Sequence, residues 1–535
     1  MDEFDYIIVG GGTAGCVLAN RLSADPSVTV LLLEAGGNGR GPWVSMPLGM
    51  RFLLGRPEYD WMYSSEPEPH LNARSIALPR GRMLGGCSAI NGMVYVRGHA
   101  YDYDHWEQQG NAGWGWRDVL PWFKKSERHF SGGNDAHGGR GEWPVSRTRV
   151  TWPALDSFIE AAQQFGLPHN TAYNDGENEG AAYFEASIER GRRASTEYAF
   201  LRPVEDRPNL KIVTHALVES LTFKANRATG LRYRVGQTTC IATARSEVVV
   251  SAGAFGTPAL LERSGIGQAA RLAQLGIAVV RDLPGVGENL QDHWQIRVQY
   301  KLHGTRTLNN RGSSLLGQAG LGLQYMLTHR GPLAGQPTLL ATFARSRKDL
   351  PAPDLQIHVA AASYDRVGGP LEKYAGITAS TGNLRPTSRG WVHIRSNAAI
   401  EAPTILNNFL DTEEDRDVAV HAVRLVRNIM RQPAMARYRA REMSPTLAIE
   451  TDEAILQHAR EVLGTVFHPV GTCRMGHDAH AVVTPELRVH GVEGLRIADA
   501  SIMPTITSGN TAAPVVMIAE RAADLMLQAR RHGRH

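Results

Sequence analysis

The sequence predicts an α/β fold built from more than one structural unit, and three observations carry this prediction. The N-terminal stretch DYIIVGGGTAGCVLANRLSADPSVTVLLLEAGG has the pattern of a strand, a glycine-rich turn, a helix and a second strand. Later segments such as DLQIHVAAA and GWVHIRS alternate as the strands of an antiparallel sheet do. At 535 residues the chain also exceeds the size that one hydrophobic core usually supports.

The N-terminal pattern predicts a Rossmann-like, dinucleotide-binding unit. The apolar run YIIV is short and β-branched, which indicates a buried strand. Gly10, Gly12 and Gly15 then supply a tight turn, a close approach to a pyrophosphate and close helix packing, in that order. Glu34 ends the second strand about 20 positions later, where an acid binds a ribose diol. Because this acid would repel a 2′-phosphate, NADP is disfavoured, while FAD and NAD both remain open.

A second glycine-rich segment, PRGRMLGGCSAINGMVYVRGHAYDYDHW, spans residues 79–106. Its paired glycines, Gly85 and Gly86, give the backbone unusual freedom, and Asn91, Gly92 and an apolar run follow. Such a segment allows main chain to lie against a flat ring system. Taken alone, a turn that leads into a strand explains it equally well.

At this segment the chain resembles the glucose-methanol-choline (GMC) family of FAD-dependent alcohol oxidoreductases, whose first signature it follows. The second family signature is matched by GAFGTPALLERSGIG at residues 253–267, and DLPGVGENLQDH at 282–293 is also similar to the family. The resemblance extends over essentially the whole chain and is weakest over 150–190 and 295–380. Within the family, the sequence looks most like bacterial alcohol and choline dehydrogenases.

The resemblance implies FAD held without a covalent bond. Some members attach the flavin to a histidine just before the signature asparagine, and Ile90 occupies that position here. The isoalloxazine contacts it implies are Gly85, Gly86, Asn91, Gly92 and Val94. The other implied FAD contacts are Gly10, Gly12, Thr13, Ala14, Gly15, Glu34, the Val218 main chain near the adenine, Asp499, Ala500 and Thr511. From the residues alone, the LKIVTHALV stretch that contains Val218 is predicted only to be a strand.

Two residues near the C-terminus suit the chemistry of alcohol oxidation. His468 titrates near neutral pH and is able to take the hydroxyl proton. Asn510 is able to donate a hydrogen bond to the same oxygen. The two lie 42 positions apart, so only the fold can bring them together, and the family resemblance implies that it does. The helix predicted after Thr511 has Pro514 in its first turn, and its positive end is expected to face the flavin pyrimidine ring.

The predicted reaction is oxidation of an alcohol to an aldehyde or ketone by hydride transfer to flavin N5, with His468 as the base. Primary aliphatic or aromatic alcohols are preferred as substrates, with polyols or choline as alternatives. No clear counterpart of an acidic choline anchor is found. A hydroxynitrile lyase of the same fold and a non-enzymatic flavoprotein are the competing hypotheses. The electron acceptor, oxygen or a quinone, is left open, as is the oligomeric state.

The predicted domains are interleaved along the chain. Residues 1–150, 190–295 and 465–535 are expected to form the FAD-binding domain. Residues 151–189 and 296–464 are expected to form a substrate domain built on an antiparallel sheet. Within it, EDRDVAVHAVRLVRNIMRQ has apolar residues at helical spacing and predicts a covering helix.

Several kinds of protein and site are disfavoured by the sequence. A net charge of +4 with scattered basic residues does not indicate nucleic-acid binding. The N-terminal residues show no signal-peptide pattern, and no apolar stretch is long enough to span a membrane, so a cytoplasmic location is expected, with a peripheral association with the inner membrane left open. The four cysteines form no CxxC pair and are expected to be reduced. The cluster Cys473, His477 and His480 is not expected to bind metal.

Overall fold

The computed structural model describes residues 2–364 and 369–532. Its α-helices are α1 (Thr13–Leu22), α2 (Pro42–Ser45), α3 (Ala100–Gln108), α4 (Trp116–Ser126), α5 (Pro153–Phe165), α6 (Gly253–Arg263), α7 (Ala269–Gln274), α8 (Asn309–Gly312), α9 (Leu315–Thr328), α10 (Glu413–Met430), α11 (Pro433–Ala436), α12 (Asp452–Val462) and α13 (Ala512–His532). Its strands are β1 (Asp2–Val9), β2 (Val30–Leu33), β3 (Tyr63–Ser64), β4 (Ala77–Leu78), β5 (Glu127–His129), β6 (Trp143–Arg147), β7 (Gly180–Tyr183), β8 (Glu185–Ala186), β9 (Ile188–Glu189), β10 (Arg192–Arg193), β11 (Leu210–Val213), β12 (Ala216–Lys224), β13 (Arg227–Val235), β14 (Thr238–Val250), β15 (Ile266–Gly267), β16 (Arg281–Asp282), β17 (Trp294–Lys301), β18 (Leu340–Ala344), β19 (Leu355–Ala360), β20 (Gly376–Asn383), β21 (Trp391–His393), β22 (Thr404–Leu406), β23 (Arg441–Ser444), β24 (Gly464–Thr465) and β25 (Leu495–Ile497).

The first large sheet is the predicted Rossmann-like layer. Its order is β11-β2-β1-β14-β13-β12, with β25 paired to β14. β1 lies parallel to both β2 and β14, and Val9 is in register with Leu33 and Val250. These strand ends are fully buried, which explains why their sequences are continuous apolar runs. The α/β class and the opening strand-helix-strand unit are confirmed.

The second large sheet is antiparallel, in the order β23-β17-β20-β19-β18-β7, with β24 paired to β17. One of its faces carries Ile296, Val298, Ile357 and Ile377, which share a hydrophobic core with residues of α10. The covering helix predicted from EDRDVAVHAVRLVRNIMRQ is therefore present as α10. Because side chains alternate between the faces of a strand, the intervening residues of β17 project to the opposite face.

The chain segments that form the two sheets alternate along the sequence. The first sheet takes its strands from residues 2–33, 210–250 and 495–497, and the second from 180–183, 294–301, 340–383, 441–444 and 464–465. DLQIHVAAA forms β19 of the second sheet as predicted. GWVHIRS contributes β21 to a separate antiparallel pair with β22 instead of to the large sheet. The domain boundaries given above stay a prediction.

One strand prediction is wrong. LKIVTHALV is not continuous: β11 ends at Val213, and β12 begins at Ala216 in a different position of the same sheet. Between them His215 adopts a positive φ of 55°. The His215 N–H donates to the Gly36 carbonyl at 2.8 Å, and the Ala216 N–H donates to the Glu34 carbonyl at 2.8 Å. Tertiary contacts with the segment after β2 therefore break an apolar run that reads as one strand.

None of the helices in residues 2–364 and 369–532 combines the length and the apolar character needed to cross a bilayer.

Candidate active site

A cavity of about 380 Å³ is lined by residues from both large sheets. It gathers most of the predicted site residues from widely separated parts of the chain, whereas Gly15 and Gly85 are not among its lining residues. The predicted residues that line it are Gly10, Gly12, Thr13, Ala14, Glu34, Gly86, Asn91, Gly92, Val94, Val218, His468, Asp499, Ala500, Asn510 and Thr511.

The turn between β1 and α1 is shaped as a cradle for a phosphate group. A Cβ atom on Gly15 would lie 1.9 Å from the Gly10 carbonyl oxygen, so only glycine allows the helix to pack this closely. Helix α1 starts after Gly12 with no side-chain cap. Its first N–H groups and the positive end of its dipole are therefore free to bind an anion.

The two glycine-rich segments meet at this cradle. A Cβ atom on Gly86 would lie 2.7 Å from the Gly12 Cα, so the close approach of the two backbones requires glycine. The Gly85 N–H donates to the Gly11 carbonyl at 2.8 Å, with Gly85 at a φ of 86°. Gly85 therefore joins the two segments through its backbone, which explains its place outside the cavity lining.

Glu34 is a buried acid at the cavity wall. Its carboxylate accepts hydrogen bonds from the Gly11 N–H at 2.9 Å and the Gly36 N–H at 2.8 Å. Burial raises the pKa of this carboxyl group. A carboxylate has further acceptor sites beyond these two, and the hydroxyl groups of a ribose are suitable donors to them.

Asp499 organises backbone at the end of β25. Its carboxylate accepts from the Gly253 N–H at 2.8 Å, the Thr257 hydroxyl at 2.6 Å and the Ser501 N–H at 2.8 Å. Gly253 and Thr257 belong to the first turns of α6, which the second family signature forms. Asp499 thereby ties this signature to the segment containing Ala500, and burial raises its pKa.

These features fit FAD. The glycine cradle and the uncapped start of α1 suit a pyrophosphate, and Glu34 suits a ribose. At the opposite end of the binding region, the Asn510 side-chain oxygen is buried without a hydrogen-bond partner in the described part of the chain. A buried acceptor of this kind needs a donor from a bound group.

The structure brings the two predicted catalytic residues together. Asn510 Nδ2 lies 3.1 Å from His468 Nε2, across the 42 intervening positions. His468 Nδ1 lies 3.0 Å from Nδ1 of a second imidazole, His293, whose Nε2 lies 3.1 Å from the Leu384 carbonyl oxygen. His293 was not predicted from the sequence as a site residue.

The hydrogen-bond partners define the proton positions along this chain of groups. A carbonyl oxygen only accepts, so His293 must carry its proton on Nε2, toward Leu384. Burial lowers the pKa of His293 to about 4, so this ring is neutral and its Nδ1 is an acceptor. His468 must then donate from its own Nδ1, which leaves the Nε2 lone pair directed at Asn510. The imidazole is therefore held in the tautomer that a general base requires at Nε2.

The surroundings of His468 disfavour its charged form. Burial lowers the pKa of His468 well below its usual value, and the nearby His293, His358 and Arg80 act in the same direction. The His468 N–H donates to Asp292 Oδ1 at 2.7 Å, which fixes the backbone at this position. Burial raises the pKa of Asp292 to about 6.

The antiparallel sheet supplies cavity residues that sequence reasoning missed. Gln295, Arg297, His358 and Ser380 all line the cavity. The signal that could have found two of them is the polar alternation at positions 293, 295 and 297, directly after the DLPGVGENLQDH match. The pairing of this strand with its neighbours could not be predicted from local pattern.

The cysteine and histidines of FHPVGTCRMGHDAH do not assemble around one point. Cys473 is buried in the main core, whereas His477 and His480 are exposed, and His477 Nε2 lies 3.1 Å from the Gly110 carbonyl oxygen. A different buried group brings three potential ligand atoms within 4.8 Å of one another, namely Glu127, His129 and His137. Its members are engaged in protein contacts.

The contacts of that group are ion pairs and hydrogen bonds. Arg97 Nη2 donates to the Glu127 carboxylate at 2.7 Å, and His137 Nδ1 lies 3.3 Å from the same carboxylate. His129 Nε2 lies 3.0 Å from Glu185. The polar groups of this cluster therefore have partners within the protein, which indicates a structural role.

The fold and the site together define a flavin-dependent oxidoreductase, and comparison with known proteins supports this class. GMC oxidoreductase family models match residues 4–295 and 386–519. The chain is 43% identical over 531 residues to the oxygen-dependent choline dehydrogenase of Burkholderia multivorans, covering 98% of this chain and 93% of that protein. It is 41% identical over 527 residues to the enzyme of that name from Brucella ovis, covering 98% and 96%.

Solved structures of the same kind superpose over nearly the full chain. Pyridoxine 4-oxidase from Mesorbium loti has a TM-score of 0.88 at 32% identity, with 99% of each chain covered. A formate oxidase structure has a TM-score of 0.92 at 26% identity, again with 99% of each chain covered. The chain belongs to the GMC oxidoreductase family. It is an FAD-dependent oxidoreductase that acts on alcohol-type substrates, which confirms the predicted family, fold class and cofactor.

Proposed function

We propose that this enzyme oxidises a primary aliphatic or aromatic alcohol to the corresponding aldehyde, with His468 as the general base. The supporting observation is the hydrogen-bonded pair of His468 and Asn510 at the cavity wall, with the His468 Nε2 lone pair directed at the Asn510 amide. FAD, when bound, supplies the hydride acceptor. The protein contributes the groups that bind the hydroxyl and remove its proton.

The division of roles follows from the donors and acceptors of the pair. A substrate hydroxyl that enters between the two side chains donates its proton toward His468 Nε2. Asn510 Nδ2 then donates to the same oxygen and stabilises the negative charge that develops there. The Asn510 amide cannot compete for the proton because its nitrogen is not basic. The chain from His468 through His293 to Leu384 keeps the base in the correct tautomer throughout.

The test of this proposal is the His468→Ala variant. The expected result is FAD content equal to wild type and a rate of anaerobic flavin reduction by alcohol that falls by about 10²- to 10⁴-fold. His477→Ala is the matched control, because His477 is exposed and bonds only to a loop carbonyl in the described structure. Reduction of the His468→Ala flavin at the wild-type rate would refute the assignment.

Substrate and reaction type are tested in one anaerobic screen of flavin bleaching. The panel contains aliphatic and aromatic primary alcohols, polyols and choline. Choline is included because the relatives at 43% identity are named choline dehydrogenases. A hydroxynitrile lyase would give no bleaching with any alcohol. Mixing the reduced enzyme with oxygen or with a quinone then identifies the electron acceptor. The proposal is compatible with either acceptor.

The proposal also retains the predicted FAD contacts and the domain division. The predicted contacts that line the cavity, such as Gly10, Gly12, Gly86, Gly92, Glu34, Val218 and Thr511, are proposed to hold FAD. Asp499 is proposed to act by arranging the backbone around Ala500, since its own oxygens already accept three hydrogen bonds. A peripheral association with the inner membrane remains part of the proposal.

A further inference from the structure

A row of polar side chains crosses the cavity-facing side of the antiparallel sheet. Arg297 on β17 is in register with Ser380 on β20, and Ser380 is in register with His358 on β19. Directly opposed residues on neighbouring strands project to the same face. All three residues line the cavity, so the row forms part of its wall.

This row contains polar groups without partners in the described structure. The Arg297 guanidinium makes no hydrogen bond and no ion pair with any described residue. The His358 ring is 6% exposed, and its Nε2 has no hydrogen-bond partner among the described residues. Ser380, between them, is 3% exposed. Buried polar groups are normally satisfied, so a row of this kind is typical of a surface that binds a polar ligand.

Two arginines supply positive charge among the described residues on this side of the cavity. Arg80 and Arg297 both line it, and the Arg80 guanidinium donates only to the carbonyl oxygens of Pro79 and Phe467 in the described structure. Burial lowers the pKa of Arg297. A guanidinium nevertheless stays charged in proteins.

The carboxylates among the described lining residues are committed elsewhere. Glu34 and Asp499 accept hydrogen bonds from backbone N–H groups beside the first sheet. Glu401 is exposed and accepts from the Ser396 hydroxyl. The Arg297 guanidinium is thus a half-buried cation with no described counter-ion, in a cavity whose three described carboxylates already accept hydrogen bonds from the protein.

We propose that Arg297, together with Ser380 and His358, binds a carboxylate of the alcohol substrate. The inference rests on the proposed function and narrows its substrate to hydroxy acids. His293, which contacts the base, directly precedes β17, and at the usual rise per residue of extended chain its Cα atom lies about 13 Å from that of Arg297. A substrate that reaches from the base to Arg297 must therefore be several bonds long. The class is therefore an alcohol whose carboxylate is remote from the carbinol carbon, such as a hydroxymethyl-substituted aromatic acid.

Equilibrium binding to the FAD-loaded enzyme tests the site without turnover. The probes are benzoate, its neutral analogue benzamide and the cation benzyltrimethylammonium, each titrated against the flavin absorption spectrum. Benzoate is expected to bind at least tenfold more tightly than the other two. Arg297→Gln is expected to weaken benzoate binding by about 10- to 100-fold and to leave benzamide unchanged. Benzamide or benzyltrimethylammonium binding as tightly as benzoate would overturn the proposal.

Two further variants distinguish the loss of the Arg297 contact from a loss of folding. Arg297→Lys keeps the charge and is expected to retain part of the preference for benzoate. Arg347→Gln is the control, because Arg347 is an exposed arginine paired with Asp349 outside the cavity lining. FAD content and melting temperature are measured for each protein. A benzoate dissociation constant that is the same in Arg297→Gln and Arg347→Gln would overturn the proposal.

Kinetics separate this inference from the proposed function. Anaerobic flavin reduction is compared for 4-(hydroxymethyl)benzoate and 4-methylbenzyl alcohol. The acid is expected to show the lower apparent dissociation constant in the wild type, and Arg297→Gln is expected to remove the difference. If neutral alcohols reduce the flavin and benzoate does not bind, the carboxylate site is refuted and the oxidation stands. If benzoate binds through Arg297 and no alcohol reduces the flavin, the oxidation is refuted and the anion site stands.

Discussion

Replacement of His293 by leucine tests whether His293 holds His468 in the tautomer that can act as a base. In the wild type, His293 Nδ1 accepts a hydrogen bond from His468 Nδ1–H, with the two nitrogens 3.0 Å apart. His293→Leu leaves this buried donor without a partner, at a cost of about 1–3 kcal/mol. The penalty applies only to the tautomer that carries a free lone pair on His468 Nε2, so the ring shifts toward the tautomer with that nitrogen protonated. At 1.36 kcal/mol per tenfold, the productive tautomer and the rate of flavin reduction fall by about 5- to 150-fold.

The matched control is His293→Asn, whose side-chain oxygen is able to accept near the position of the original Nδ1. This variant is expected to reduce its flavin within about fivefold of wild type, since the hydrogen bond to His468 is retained. FAD content and melting temperature are compared first, so that a loss of folding is recognised. Nitrogen-15 NMR of the ring then reports the His468 tautomer directly. A leucine variant as fast as the asparagine variant, or a wild-type ring protonated at Nε2, would refute the reasoning.

Three other predictions concern the cofactor, the base and the fold. FAD is expected to appear in the supernatant after acid precipitation, because Ile90 offers no nucleophile for a covalent link; flavin retained in the pellet contradicts this. Flavin reduction is expected to stay level as the pH falls from about 8 to 6.5, because burial lowers the pKa of His468 and the base remains neutral. An acid limb centred above pH 6.5 would show a base of ordinary pKa. Gly15→Ala is expected to lower the melting temperature and the FAD content, since the new methyl group would lie 1.9 Å from a carbonyl oxygen. Gly322→Ala, on α9 with open space at the Cβ position, is the control and should be neutral or slightly stabilising.

Sequence patterns within a single segment predicted the elements whose conformation depends mainly on neighbouring residues. The β1-α1-β2 unit follows from an apolar run, spaced glycines and an acid, and α10 follows from helical periodicity. The break at His215 could not be predicted in this way, because a hydrogen bond from its N–H to the Gly36 carbonyl helps to hold the turn. Prediction thus failed where contacts distant in sequence override local preference.

The candidate site shows the same division. His468 and Asn510 lie 42 positions apart, so no local pattern links them. They were predicted as a pair because the family resemblance implies that the fold brings them together. His293 and the row at Arg297 were missed because their significance depends on strand register. Arg297 and His358 are 61 positions apart, yet each is in register with Ser380. No periodicity within one segment carries that information.

The groups that lower the pKa of His468 give an anionic substrate a second effect beyond binding. With His293, His358 and Arg80 near it, the imidazole resists a proton. His358 stands in the same row as Arg297, and burial lowers the pKa of His358 to about 3, so this ring is uncharged at neutral pH. A carboxylate held there would add a negative charge near the cluster and would favour the charged form of the base. The base would then gain strength when a substrate bearing that carboxylate is bound, which couples recognition at Arg297 to proton removal at His468.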